Sequence, residues 1–117
     1  MQPQEVEVWY VLPAIRRELV KALKEDGLKQ GRIAVLLGIT DAAVSQYQSR
    51  KRAAGIVFDK EMLRQIKMSA KAIIKDNSRV MREIQRICLL CRKNKVICQI
   101  HMQKEKMAGE CTSCFQD

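Results

Sequence analysis

Five cysteines crowd the last third of the chain: Cys88, Cys91, Cys98, Cys111 and Cys114, spaced C-x2-C-x6-C-x12-C-x2-C, with His101 among them. A CxxC pair lets two thiolates converge on one centre, and two such pairs can close the tetrahedral sulfur site that structural zinc requires. An iron–sulfur cluster also takes four thiolates, and here five are available. Zinc on Cys88, Cys91, Cys111 and Cys114 leaves Cys98 spare, whereas a cluster can use Cys98 and keep another cysteine as an exchangeable ligand. The odd cysteine therefore favours an iron–sulfur cluster, with zinc as the alternative and a bare thiol switch as a third reading. His101 stays outside the ligand set, because a lone histidine is more often a hydrogen-bonded residue than a ligand. Arg86, Arg92, Lys93, Lys95 and Lys104 accompany the cysteines with no acid between them. That positive field is expected to lower thiolate pKa values and to offset the charge of a four-thiolate centre.

A second stretch carries a different chemistry. In residues 30–47, QGRIAVLLGITDAAVSQY, Ile33, Ala34 and Leu37 share one helical face, Gly38 supplies a positive φ, and Thr40 can cap a following helix. Val44 and Tyr47 give that second helix an inward face, leaving Asp41, Ala42, Ser45 and Gln46 outward. Two short helices crossing at a tight turn are a helix-turn-helix, whose second helix enters the DNA major groove. Ser45 and Gln46 would read bases, since Gln can bond two edge atoms of adenine, and Ala42 can touch a thymine methyl. Arg50, Lys51 and Arg52 follow directly and would meet backbone phosphates, supplying affinity and not sequence choice. The residues expected at the DNA are Gln30, Thr40, Ala42, Ser45, Gln46, Tyr47, Arg50, Lys51 and Arg52.

The pattern Gln30, Ala34, Gly38, Ile39 and Thr40 resembles the Cro/repressor type of helix-turn-helix, also called XRE-like. Leu12-Pro13-Ala14-Ile15-Arg16, with residues 42–49 (AAVSQYQS), is similar to a group of predicted archaeal transcriptional regulators; their members also resemble the DNA-binding half of some archaeal thiamine-pathway regulators. The resemblance covers residues 12–52 well and the cysteine end more loosely, and it implies DNA binding and a C-terminal cysteine-rich region. One departure stands out: after Ser49 the family usually has Gly, and this chain has Arg50.

The surrounding elements must position these groups. The chain has 117 residues, 47% of them hydrophobic and 4% aromatic, with only two prolines, a balance that favours an all-α fold. Residues 1–8 read as a frayed arm or a short strand, and a first helix should start at Pro13, carry Ile15, Leu19, Ala22 and Leu23 inward, and close near Gly27. Trp9, at its entry, reads as a core or dimer anchor. From Asp59, an N-cap, the apolar positions Met62, Leu63, Ile66, Ala70, Ile73 and Ile74 follow at helical spacing. A break is expected at Asp76-Asn77-Ser78, and a last helix places Val80, Met81, Ile84, Ile87, Cys88 and Cys91 on one face. These two helices carry more apolar surface than a small headpiece needs, so residues 60–91 are expected to form a homodimer interface; the competing reading is that they complete the monomer's own core. The resulting division is a helix-turn-helix domain at 1–58, a helical linker and dimerisation segment at 59–87, and a cysteine-rich cluster or metal region at 88–117.

A net charge of +9 points to a polyanionic partner, double-stranded DNA. No apolar run reaches the length of a bilayer span, so no membrane partner is expected. Five cysteines without an export signal argue for a reducing, cytoplasmic setting. A thiol-disulfide oxidoreductase is disfavoured, and with it an enzyme of any kind, because no βαβ pattern surrounds either CxxC pair and no catalytic His or carboxylate constellation accompanies them. The expected function is a sequence-specific DNA-binding transcriptional regulator whose centre senses redox, oxygen or iron state, with structural zinc as the alternative. Loss of the centre would release the tail and shift the spacing between paired recognition helices.

Overall fold

The computed structural model describes residues 2–49 and 58–93, and every regular element among them is helical. Helix α1 (Pro3–Val6) runs through a π-helical turn at Glu7–Val11 into α2 (Leu12–Glu25), and α3 (Gln30–Leu37), α4 (Asp41–Gln48), α5 (Lys60–Lys75) and α6 (Val80–Lys93) follow. The all-α expectation holds.

The start of the chain differs from the expected arm or strand. It is helical, and Val6 and Val11 are fully buried. Pro13 does not begin a helix but sits just inside α2. A proline has no N–H to give the preceding turn and its ring crowds the carbonyl four residues back. Here the wider turn absorbs both problems: the Leu12 N–H bonds the Glu7 carbonyl, five residues back. The same widening returns Val11 to the face that Val6 occupies, in phase with Ala14, Ile15, Leu19 and Leu23.

Helix ends are set by local chemistry. After α2, Gly27 (φ 94°) lets its own N–H reach the Lys24 carbonyl at 3.0 Å and the Leu28 N–H reach the Leu23 carbonyl at 3.1 Å. Gly38 (φ 66°, ψ 35°) repeats the motif after α3, with the Ile39 N–H on the Ala34 carbonyl at 3.0 Å. Thr40 caps α4 by accepting from the Ala43 N–H at 3.0 Å, and Asp59 caps α5 by accepting from the Met62 N–H at 2.8 Å. The expected break follows α5: Asp76 takes extended backbone, a 3-10 turn spans Asn77–Arg79, and Asp76 Oδ1 accepts from the Ser78 N–H.

One apolar cluster gathers residues from the N-terminal turn and from α2 through α6. Helix α2 is its centre, packing on α5, α4, α3 and α6. The α5 and α6 stripes divide: Ile74 (38%) and Met81 (74%) are exposed, whereas the other expected interface residues turn into the chain's own core. Ile66 is 1% exposed and Ile73 fully buried within the single chain, and Ile84 is half-buried against the same cluster. A side chain already covered by its own chain has no apolar surface left to bury against a second copy. Trp9 goes the other way: it is 63% exposed, outside the core.

Two polar residues enter this core. Ser69 is fully buried and Glu83 nearly so, and the Ser69 hydroxyl donates to Glu83 Oε1 at 2.7 Å. Arg86 completes the network, donating to Ser69 Oγ (2.6 Å), Gln65 Oε1 (2.7 Å), the Gln65 carbonyl (3.1 Å) and Glu83 Oε1 (3.2 Å). A buried carboxylate is tolerated because it is hydrogen-bonded and charge-paired where it enters the core. The network fixes the register of α6 on α5.

Candidate nucleic-acid interface

On α3 and α4 the buried faces fall where the spacing predicts. Ile33, Ala34 and Leu37 from α3 and Ala43, Val44 and Tyr47 from α4 are buried, and Asp41, Ala42 and Ser45 are exposed, with Gln46 half-buried. Thr40 is exposed at the tip, where its side-chain oxygen serves the cap. Exposed small and polar side chains on the first turns of a short helix leave room for a base-pair edge to approach.

Gln30 holds the two helices together. Its side-chain nitrogen donates to Ser45 Oγ at 2.7 Å and to the Asp41 carbonyl at 3.0 Å. A phosphate contact would need those same donors, and in this structure they are used to brace α4 against α3. Ser45 accepts from Gln30 and keeps its own O–H for a further acceptor. The expectation of Tyr47 at the DNA is corrected. It is 3% exposed and turned into the core, beside an open cleft of about 500 Å³ that Val20, Phe58 and Leu63 also line. A ring so covered reaches no base.

Helix α4 ends at Gln48, where Ser49 has φ −82° and its hydroxyl donates to the Gln46 carbonyl at 3.1 Å. Arg50, Lys51 and Arg52 lie outside the described residues.

Of the five cysteines, Cys98, Cys111 and Cys114 lie outside the described residues, and Cys88 and Cys91 are free thiols on α6. One helical turn apart, they share its inward face between the π turn and α2, with Cys88 8% exposed and Cys91 fully buried. Here the expectation of lowered thiol pKa values fails. Burial is the largest influence and pushes Cys88 up to about 11 and Cys91 up to about 12; Glu7 adds to both, and Arg92 and Arg16 offset only part at Cys88. Two of the cations counted in that positive field are engaged elsewhere. Arg86 serves the Ser69–Glu83 network, and Arg92 pairs with Glu7 at 2.9 Å.

The donor chemistry still fits a sulfur-ligated centre in part. Two thiols stand one helical turn apart on one face, and the nearby Arg16 has its Nε buried with no hydrogen-bond partner among the described residues, a cation suited to thiolate charge. Among the described residues no group of three metal-binding side chains occurs. Cys88 and Cys91 alone make half a site.

The Ser69–Glu83–Arg86 network was missed in the sequence, although it left a signal. Ser69 falls three residues after Ile66 and Glu83 four before Ile87, polar residues standing in apolar stripes of consecutive helices. No helix among the described residues is long and apolar enough to cross a membrane. Comparison with family models, curated proteins and solved structures finds no match to this chain.

Proposed function

We propose that this chain is a sequence-specific DNA-binding transcriptional regulator that lays the first turns of α4 in the major groove. The observation that carries the reading is the α3–Gly38–α4 corner, with Thr40 capping α4, Gln30 holding it, and Asp41, Ala42 and Ser45 exposed along it. Gln46 reads adenine through its amide, Ser45 donates to a base acceptor, and Ala42 meets a thymine methyl. Arg50, Lys51 and Arg52 neutralise phosphates. The resemblance to archaeal regulators with an XRE-like motif points the same way.

In this reading the cysteines hold a thiolate-ligated centre, an iron–sulfur cluster in preference to zinc because Cys98 makes a fifth sulfur. Such a centre supplies a charge or occupancy state that follows iron or oxidant supply. Cys88 and Cys91 would be two of its ligands, steadied by Arg16. A homodimer also belongs to this proposal; with Ile66 and Ile73 internal, the exposed apolar groups left to make it are Val8 and Trp9 near the N-terminus and Met68, Met81 and Leu89 on α5 and α6.

The test is selection of bound sites from a random duplex pool, followed by titration of wild type and Gln46→Ala on the selected site and on unrelated DNA. The substitution is expected to cost about 1 to 3 kcal/mol on the selected site and little elsewhere. A pool that shows no enrichment would end the sequence-specific reading.

A further inference from the structure

Three helix starts meet on one side of this molecule. Gln30, in the first turn of α3, reaches the Asp41 carbonyl at the start of α4. Arg32, two residues further round the same turn, reaches the corner between α5 and α6. The Asn77 amide there is oriented by its neighbours: its nitrogen donates to the Ile73 carbonyl at 3.1 Å, and its oxygen accepts from the Arg32 guanidinium. The corner therefore flanks α3 through Arg32 while Gln30 holds α4.

This corner is strongly cationic. Lys75, Arg79 and Arg82 are exposed on it, and Lys29 and Arg32 are exposed at the start of α3. Exposed carboxylates also stand on these segments: Asp41 on α4, Asp76 at the corner, and Glu25 and Asp26 just before Lys29. Asp76 is already engaged: its Oδ1 accepts from the Ser78 hydroxyl at 2.7 Å and from the Ser78 N–H at 3.1 Å, and its Oδ2 lies 3.7 Å from Arg79 Nε. The two Ser78 hydrogen bonds hold its pKa below the ordinary carboxylate value, and the nearby Arg79 and Arg82 add to that lowering. The positive ends of the α3, α4 and α6 helix dipoles add to this field. Nothing in the packing of α5 and α6 requires the cluster, since Lys75, Arg79 and Arg82 are all exposed to solvent and the α5–α6 register is already fixed by Arg86.

We infer that the α5–α6 corner is a second phosphate-binding surface, which carries the DNA footprint past the major groove entered by α4 and onto the backbone beyond α3. The occupant is the duplex, because the corner offers paired guanidinium groups suited to phosphate oxygens and adjoins the recognition surface through the Arg32–Asn77 hydrogen bond. The inference rests on the DNA-binding reading. It assigns to Arg79 and Arg82 the role of affinity without sequence choice.

The test uses the full chain and a mixed-sequence duplex of two to three helical turns, about 25 base pairs, with binding measured across a salt series. Arg79→Gln/Arg82→Gln is compared with wild type and with Lys21→Gln/Lys67→Gln, which removes the same charge from a shallow groove between α2 and α5. The corner variant is expected to lower the slope of log affinity against log salt by about 2, one for each phosphate no longer neutralised, and the groove variant to leave it nearly unchanged. Equal slopes for all three proteins, or equal reductions in both variants, would overturn the inference while leaving the α4 reading in place. A wild type that binds no duplex at low salt would remove both. Unchanged DNA binding together with weakened binding to phosphatidylserine vesicles in the corner variant would overturn it in favour of a lipid surface.

Discussion

Gln30 Nε2 lies 2.7 Å from Ser45 Oγ and also bonds the Asp41 carbonyl, so one side chain of the first motif helix sets the position of the second. Gln30→Ala should cost only the net value of such exposed hydrogen bonds, about 0.5 to 1.5 kcal/mol of stability. Its larger effect is expected on selected-site affinity, with the salt slope unchanged, because every phosphate partner is retained. Thermal melts and anisotropy titrations measure the two separately. A variant with wild-type affinity for the selected site would show that α4 needs no such tether.

Gly38 sits at φ 66°, and a Cβ built on it meets nothing within 4 Å. The penalty for Gly38→Ala is therefore conformational alone, about 1 to 2 kcal/mol for an L residue held in the left-handed region. Gly38→Asn should cost less, since asparagine tolerates that region. Denaturant melts of the two variants give the comparison, and an alanine variant as stable as wild type would contradict the left-handed turn.

Ile66 and Ile73 are internal to one chain, which separates stability from association. Ile66→Ala and Ile73→Ala should each lose about 2 to 5 kcal/mol of stability without altering solution mass. Trp9→Ala should do the reverse, lowering any dimer fraction at little cost to the fold. Light scattering alongside calorimetry decides it. A drop in mass for the isoleucine variants under folding conditions would return these stripes to an interface.

Cys88 and Cys91, pushed up to about 11 and about 12, should be almost entirely thiol at about pH 8. In the reduced, metal-free chain both are expected to alkylate far more slowly than in denaturant, as read by mass spectrometry of the labelled peptides. Native labelling as fast as in denaturant would mean that the pair is not sealed between α6, the π turn and α2.

The identity of the centre turns on Cys98. In anaerobically prepared protein, an iron–sulfur cluster that uses Cys98 should lose its iron and colour in Cys98→Ser, because serine is a harder and far less acidic ligand. Zinc on the other four should survive that change. Full zinc occupancy in wild type with a silent Cys98→Ser would replace the cluster reading with the zinc one.

The sequence alone determined four of the helix boundaries. Gly38 with Ile39, Thr40 with Ala43, Asp59 with Met62, and the break at Asp76 each depend on partners within about five residues, so spacing was enough to find them. The apolar stripes of α2, α5 and α6 were legible for the same reason, except that Ile74 and Met81, counted with them, are exposed. Their destination was not, because periodicity says which face is apolar and not what covers it. Only the tertiary structure decided that Ile66 and Ile73 complete the monomer's own core, and that Val6 and Val11 join it through a π turn that accommodates Pro13. It also decided the state of the thiols. In sequence Cys88 and Cys91 stand among cations, but Glu7, 85 residues from Arg92, arrives to pair with it, and the N-terminal turn and α2 close over the sulfurs. Desolvation then outweighs the nearby positive charge, since the cost of burying a thiolate depends on everything packed around it and not on its neighbours along the chain.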